Sequence, residues 1–587
     1  MQVEYITTPE KLQHIEENLK SQPFIYLDTE VAVKDFENID YFKDQIRLIQ
    51  IGTDTQIYVI DAYKIDKEKI KRFLKENVEN KGIIGHNLKF DLKFLATNYN
   101  IYPKVVFDTF IASKILAKGD NSQKHSLSAV ATRLTDEELD KSYQTSPWWI
   151  ENLTKEQIEY AAKDIEVLRS IFKEQVLRLN EDQTALKSSG ETFKVFGVKN
   201  PVAALEMSFL PCLVKMELSG FPINENKLQI QTQNAKSKFQ NLYIEFKKKY
   251  GIDPMSPQQV VNFLTKKLSI KLPKTEKGSF SSQDVYLKDY EDKQEVNLLL
   301  QIRYEKKNLD KLEELKKYLK EGRIYGEFKQ IGASTGRMSS SKPNLQNIPK
   351  NLKHLFEAPE GYMFIIADYS QIELRIAAEY TKDQNMIKAF KEGKDLHRLT
   401  ASIITGKDYE NITKEERNLA KAINFGLIYG ISPKSLVEYA KNNYGVEITL
   451  KEAKIFHENF FNYYSGFKIW HEKTKEYLEK HRFIEQQTLL GRKLIAYRFT
   501  DAVNYPIQGS GSDLLKMAVV LFYKSLDNID AKVVNLVHDE IVVEVKEEDL
   551  EKARKILSTA MEKAGKYLLK EVPVSFEISL SKTWNKD

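Results

Sequence analysis

Short apolar runs and longer helical patterns alternate through the first third of the chain. Phe24-Ile-Tyr-Leu27 is too short for a helix and ends in Asp28-Thr-Glu30; Ile46 to Ile51 and Ile57 to Ile60 are runs of the same kind, so all three read as strands. Helical periodicity carries the chain through Leu88 to Leu95 and again through Gln157 to Phe172. The pattern predicts an α/β body with carboxylates at a strand end. A charged, less periodic stretch between Glu181 and Asn200 puts the end of this first domain near residue 185.

The pattern then changes. Lys/Glu/Leu-rich segments from Asn224 to Tyr250 and from Glu291 to Leu319 predict long solvent-faced helices, separated by turn-rich sequence around Pro273 to Ser282. Strand-like runs at Phe364 to Ala367, Lys532 to Val537 and Ile541 to Val545 flank a mostly helical middle. A β core is therefore expected from sequence-distant pieces. Tandem repeats and sustained heptads are absent, which removes solenoids and coiled coils.

Composition narrows the class. At 587 residues, 42% apolar and 29% charged, the chain has ample material for several packed bodies. A net charge of +5 is small for this length, so a polyanionic partner would have to be met by a local basic groove. The single cysteine, Cys212, excludes an intramolecular disulfide and a cysteine zinc site, and fits a reducing compartment. With no cationic head and apolar core at the N-terminus and no uncharged run of membrane-spanning length, a cytoplasmic location is expected.

Two constellations carry chemistry. Asp28 and Glu30, two apart on a strand, point their carboxylates to one side; Asp91 and Asp164 follow on helical segments. Four acids near one cleft repel unless cations neutralise them. A pair of Mg²⁺ ions about 4 Å apart would activate water and stabilise a leaving oxygen, which is phosphodiester hydrolysis. Tyr160, one turn before Asp164, is placed to orient that water.

The second constellation joins Asp368, at the end of an apolar strand in Asp368-Tyr-Ser-Gln371-Ile-Glu373, to Asp539, at a hairpin tip between two strands. Between them, Arg417, Lys421, Phe425 and Tyr429 recur at i+4 steps and drift slowly round a helix of about 3.6 residues per turn. Two cations and two rings on one ribbon suit a nucleoside triphosphate, with Lys421 also a proton donor to pyrophosphate. Glu373 beside a sugar would exclude a 2'-hydroxyl. His397 is a further candidate contact to phosphate. Thr335-Gly336-Arg337, Asn344, Gln346 and Asn347, with Arg492, Asn504 and Gln508, offer donors for sequence-independent tracking of sugar and phosphate.

With these residues in place, the chain closely resembles bacterial DNA polymerases of family A, the DNA polymerase I large-fragment type, and among them those of Aquifex-like thermophilic bacteria. The resemblance implies a multidomain α/β and α+β fold: an RNase H-like 3'-5' exonuclease domain over 1–185, then a right-hand polymerase domain over 186–587. Its thumb would span about 206–323, its palm about 325–375 and 490–587, and its fingers about 376–489.

The matching positions are Asp28, Glu30, Asp91, Tyr160 and Asp164 for proofreading. For polymerisation, Asp368 to Arg375 resemble motif A, Arg417 to Gly430 motif B, and His538-Asp539-Glu540 motif C. By the same likeness Arg337, Asn504, Gln508 and His538 contact primer and template, Glu373 is the sugar gate, Tyr429 acts on the template side, and Phe425 holds the position where phenylalanine disfavours dideoxynucleotides. The metals implied are Mg²⁺, with Mn²⁺ an alternative, two per site. The partners implied are primer-template DNA and dNTPs, and the expected state is a monomer.

Two departures stand out. A chain of this length is expected to lack the 5' nuclease of many full-length members, whose work would fall to another protein or a missing segment, and Val31-Ala-Val33 with a longer loop to Asp44 replaces the small residues usual after the exonuclease acids. The competing reading is a nucleic-acid-binding factor whose acids only trim or bind ends; another is a working polymerase carrying an inert first domain.

Overall fold

The structure, a computed structural model, describes residues 2–35, 37–139, 146–181, 196–275 and 278–585. The expected boundary at 185 lies outside these residues.

The first body is a six-stranded sheet in the order β1 (Gln2–Ile6), β4 (Gln56–Asp61), β3 (Ile46–Gly52), β2 (Phe24–Val31), β5 (Gly82–Gly85), β6 (Val105–Asp108). β2 pairs antiparallel with β3 and parallel with β5, and all seven residues of β3 are buried, as a strand covered on both faces must be. Asp28 and Glu30 lie inside β2, which runs on to Val31, rather than beyond its end. A register shift follows Glu30: Val31 pairs with Ile46, leaving Arg47 unmatched on β3. Asp91 sits in the first turn of the Lys89–Tyr99 helix. Asp164 belongs to a long helix, Lys155–Glu181, started by a reciprocal cap in which Thr154 Oγ1 accepts from Gln157 N at 3.2 Å and Gln157 Oε1 accepts from Thr154 N at 2.9 Å.

The Pro201–Ser219 helix joins the two bodies and is apolar nearly all round, because each face meets a different core. Leu210 and Val214 enter one core of the first body, Ala203 and Met207 the other, and Phe209 and Leu213 the large core of the second body. Glu217 near its end accepts from Lys89 Nζ at 2.7 Å, Lys93 Nζ at 2.9 Å and Phe328 N at 2.7 Å, so the helix bearing Asp91 is clamped to the second body.

In that second body the helices Glu225–Tyr250 and Gln294–Lys317 pack along one another, as their patterns predict. The four-stranded sheet has the order Ala531–Val537, Glu540–Lys546, Tyr362–Tyr369, Phe576–Ser581, all antiparallel, and so assembles three sequence-distant regions. Among the described residues no helix is long and apolar enough to cross a membrane.

Candidate active sites

In the first body, carboxylate oxygens of Asp28, Glu30 and Asp164 all lie within 4.8 Å of one another. Alternation along β2 turns Asp28 and Glu30 to one half-buried face, and the Lys155–Glu181 helix crosses that sheet to bring Asp164 in. Asp91 stands outside this trio: it is buried, and its Oδ1 accepts from Thr29 Oγ1 at 2.6 Å.

The four acids nevertheless act on each other electrostatically. Burial and then the charges of Asp91, Asp164 and Glu30 hold Asp28 well above the usual carboxylate range; burial, then Asp164 and Asp91, does the same to Glu30. Burial lifts Asp91 to about 7, against the bond from Thr29, and lifts Asp164 to about 7. Hard oxygen donors held this close, and so reluctant to ionise alone, fit a divalent cation. Tyr160 lies one turn before Asp164, its ring 6.5 Å from that of buried Trp148.

In the second body, Asp368 is paired in register with Glu540 on adjacent strands, and Asp539 occupies the turn before Glu540, its carbonyl accepting from Tyr369 N at 3.3 Å. Two strand ends thus deliver two carboxylates to one place. Burial first, then Asp368, lifts Asp539 to about 7. Glu540 is turned to other work, since its Oε1 accepts from Trp584 Nε1 at 2.8 Å and meets Lys353 at 3.5 Å.

The Lys414–Ile428 helix begins at a capping box between Thr413 and Glu416. Arg417, Lys421 and Phe425 are half-buried on it, while Ala420, Ala422 to Asn424 and Gly426 to Ile428 are buried. The ribbon expected from i+4 spacing is therefore the open face of this helix. Tyr429 is a correction: the helix ends at Ile428, and Tyr429 is its C-cap, followed by Gly430 at φ 74°. From there its hydroxyl donates to Glu373 Oε2, and Glu373 Oε1 also receives Arg337 Nη2 at 2.5 Å. Arg417 is engaged by Asp395, donating from Nε at 3.0 Å and Nη2 at 2.7 Å. Lys421 has no ion-pair partner among the described residues.

The family model described as DNA polymerase family A matches residues 225–586, and one described as 3'-5' exonuclease matches residues 3–179. The chain belongs to DNA polymerase family A. It is 49% identical over 599 residues to a DNA polymerase I of Aquifex aeolicus, covering the whole of both chains. It is 30% identical to a DNA polymerase I of Pseudomonas aeruginosa, with 89% of this chain and 59% of the relative covered. Its fold matches that of a solved structure described as the POL domain of Pol1 from M. smegmatis in complex with DNA primer-template and dNTP, with a TM-score of 0.81, 22% identity and 99% of each chain covered.

Several other candidate residues have distinct settings. Asn504 Oδ1 and Gln371 Oε1 are buried and make no hydrogen bond within the described residues; Gln371 also takes a left-handed backbone, φ 52°, at the start of the Ile372–Thr381 helix. Gln508 is half-buried, and its neighbour Gly509 lets their helix, Phe499–Lys524, approach the Thr335 loop, since a Cβ there would stand 2.8 Å from the Thr335 carbonyl. Gln346 Nε2 donates to Leu536 O at 3.1 Å, Asn344 O accepts from Lys311 Nζ at 3.1 Å, and Asn347 is exposed. His538 is exposed in the turn at φ 55°.

Arg492 corrects the expectation of a DNA contact. It is buried, Nε donates to Asp513 Oδ1 at 3.0 Å, and Nη2 reaches both Asp513 and Glu206. Lys516 completes the group, donating to Glu206 at 2.7 Å and to the Gly336 carbonyl at 2.8 Å. Two cations and two anions are thereby buried together, and they hold the loop that carries Arg337. Sequence offered one signal for this: Asp513 and Lys516 are the charged residues between Asp501 and Lys524 on their helix.

The stretch after Glu30, for which the sequence suggests no role, crosses to the second body. Asp40 pairs with Lys320 at 2.8 Å, Phe42 meets Tyr325 edge-on with ring centres 5.2 Å apart, and Lys93 lies 3.6 Å over the Tyr41 ring. The described part of the loop is a strap between the exonuclease sheet and the segment after the Gln294–Lys317 helix.

Proposed function

We propose that this family A polymerase adds deoxynucleotides to a primer 3' end on a DNA template and removes mispaired 3' ends with its first domain. The observation that carries the reading is the convergence of Asp368, near the end of its strand, and Asp539, in the turn before the neighbouring strand, near Glu373, which bridges to Tyr429 at the end of the helix bearing Arg417, Lys421 and Phe425. Primer-template DNA and dNTPs are the partners of this reading, in a cytoplasmic monomer.

Asp368 and Asp539 would hold the polymerase metals, and Asp28, Glu30, Asp91 and Asp164 those of the exonuclease. Mg²⁺, or Mn²⁺ in its place, supplies charge neutralisation and Lewis acidity when bound. The chain's own residues do the rest. Lys421, without an ion-pair partner among the described residues, neutralises the triphosphate and can protonate the departing pyrophosphate; Arg417 and His397 assist with phosphate. Phe425 and Gln371 pack at the sugar and base, Tyr429 fixes the end of the helix, and Glu373 rejects a 2'-hydroxyl. Arg337, Asn344, Gln346, Asn347, Asn504, Gln508 and His538 line the path of primer and template. Tyr160 orients the water in the exonuclease site.

The test follows a 5'-labelled recessed primer with Mg²⁺, with and without dNTPs. Asp368→Ala and Asp539→Ala should abolish extension while DNA binding and 3' shortening persist. Extension at the wild-type rate in either variant would overturn the assignment.

A further inference from the structure

His397 is buried, 3% exposed, against Phe425, with ring centres 5.8 Å apart. Its Nδ1 lies 2.9 Å from Asn424 Nδ2, Asn424 Oδ1 lies 2.9 Å from Thr400 Oγ1, and Thr400 Oγ1 lies 2.9 Å from the Tyr464 hydroxyl. All four side chains are buried. The direction of every bond in this chain follows from its far end.

Tyr464 is fully buried and its hydroxyl has no partner but Thr400 among the described residues. A buried phenol left without an acceptor forfeits a hydrogen bond, so its proton goes to Thr400 Oγ1. Thr400 then spends its own proton on Asn424 Oδ1. Asn424 must therefore present its amide N–H to His397, which makes Nδ1 an acceptor and leaves the ring proton on Nε2. Among the described residues nothing accepts from Nε2.

We propose that Asn424, oriented by Thr400 and Tyr464, is a positioning residue that locks His397 as the neutral Nε2–H tautomer, so that the imidazole offers a fixed donor to the incoming triphosphate. The part played by the triphosphate rests on the reading given above; the tautomer itself does not. A neutral ring suits its surroundings, because Arg417 and Lys421 face it from the neighbouring helix and Asp395 from its own, and burial pushes it down to about 4. Two cations already serve the phosphates, and the ring adds direction rather than charge. Tyr464, at the end of the Leu450–Tyr463 helix, ties this orientation to a third helix.

Asn424→Asp reverses the logic. A carboxylate at Nδ1 would favour the imidazolium at low pH, with Nε2–H still present; on deprotonation the remaining proton stays on Nδ1 and Nε2 turns a lone pair toward the phosphate. Relative to wild type, KM for dNTP in Asn424→Asp should therefore climb by about tenfold between pH 6 and pH 9, while KM for primer-template DNA and the rate of 3' shortening stay at wild-type values. Thr400→Val, which frees the amide to flip, should raise KM for dNTP by a smaller factor with no such pH dependence. The tautomer is read separately from ¹⁵N shifts of histidine-labelled protein, with His397→Gln identifying the resonance. A pyrrole-type Nε2 in the wild type is expected, moving to Nδ1 in Asn424→Asp at high pH. A pyridine-type Nε2 in the wild type would overturn the proposal. If Nε2 is pyrrole-type but His397→Gln leaves KM for dNTP unchanged, the lock stands and the phosphate reading of His397 falls.

Discussion

Tyr429, the residue that ends the Lys414–Ile428 helix, donates its hydroxyl to Glu373, the carboxylate that also receives Arg337 at 2.5 Å. One side chain thus joins the helix bearing Arg417, Lys421 and Phe425 to the arginine proposed at the primer. A glutamate held from both sides cannot swing aside to admit a 2'-hydroxyl. Glu373→Ala should raise the ratio of ribonucleotide to deoxynucleotide incorporation by about tenfold or more. Single-nucleotide insertion with competing rNTP and dNTP checks this, and an unchanged ratio counts against the gate.

Removing the strand carboxylates should separate the two activities. The double variant Asp28→Ala with Glu30→Ala is expected to lose 3' shortening and keep primer extension within about twofold of wild type, because additivity across distant sites leaves the second site untouched. Persistent shortening would mean that the acidic trio is not where the chemistry happens.

The same acids make the first domain sensitive to pH when metal is withheld. Asp91 and Asp164 are lifted to about 7, and Asp28 and Glu30 well above the usual carboxylate range, all chiefly by burial. A group whose pKa is raised by folding binds more protons in the native state, so its contribution is present at low pH and lost as pH climbs through the native value. Without divalent ions, exonuclease-domain stability should fall between about pH 5 and pH 8. Added Mg²⁺ should restore it, with a larger rise in Tm at pH 8 than at pH 5.5, and Asp28→Asn should shrink that difference. Equal Mg²⁺ shifts at both pH values would refute the cation-site reading.

Arg492 and Arg337 should part company on mutation. Arg492→Ala strands Asp513 and Glu206 in the interior and should cost about 3–5 kcal/mol of stability. The salt dependence of DNA affinity should stay at its wild-type slope. Arg337→Ala should lower that slope by about one unit with little loss of stability. Denaturant unfolding and affinity measured across a salt series distinguish the two, and a reduced slope for a folded Arg492→Ala would return that residue to the DNA surface.

The acidic pairs, the cationic and aromatic ribbon and the main strands and helices were legible because each depends on local periodicity. Asp28 and Glu30 share a face through the two-residue repeat of a strand, and Arg417, Lys421 and Phe425 share one through the turn of a helix. Motif order then sufficed for the family. What the sequence could not determine was which polar side chains meet across long separations. Arg492, in a glycine-flanked polar turn, looked like a donor for DNA; only the approach of the Pro201–Ser219 helix, bringing Glu206, and of the Phe499–Lys524 helix, bringing Asp513, turned it inward. The strap around Asp40, the clamp at Glu217 and the chain from Tyr464 to His397 were equally hidden. Backbone periodicity is a short-range property written into consecutive residues, whereas the partner of a buried charge or the tautomer of a buried imidazole is set by whichever distant groups the packing delivers.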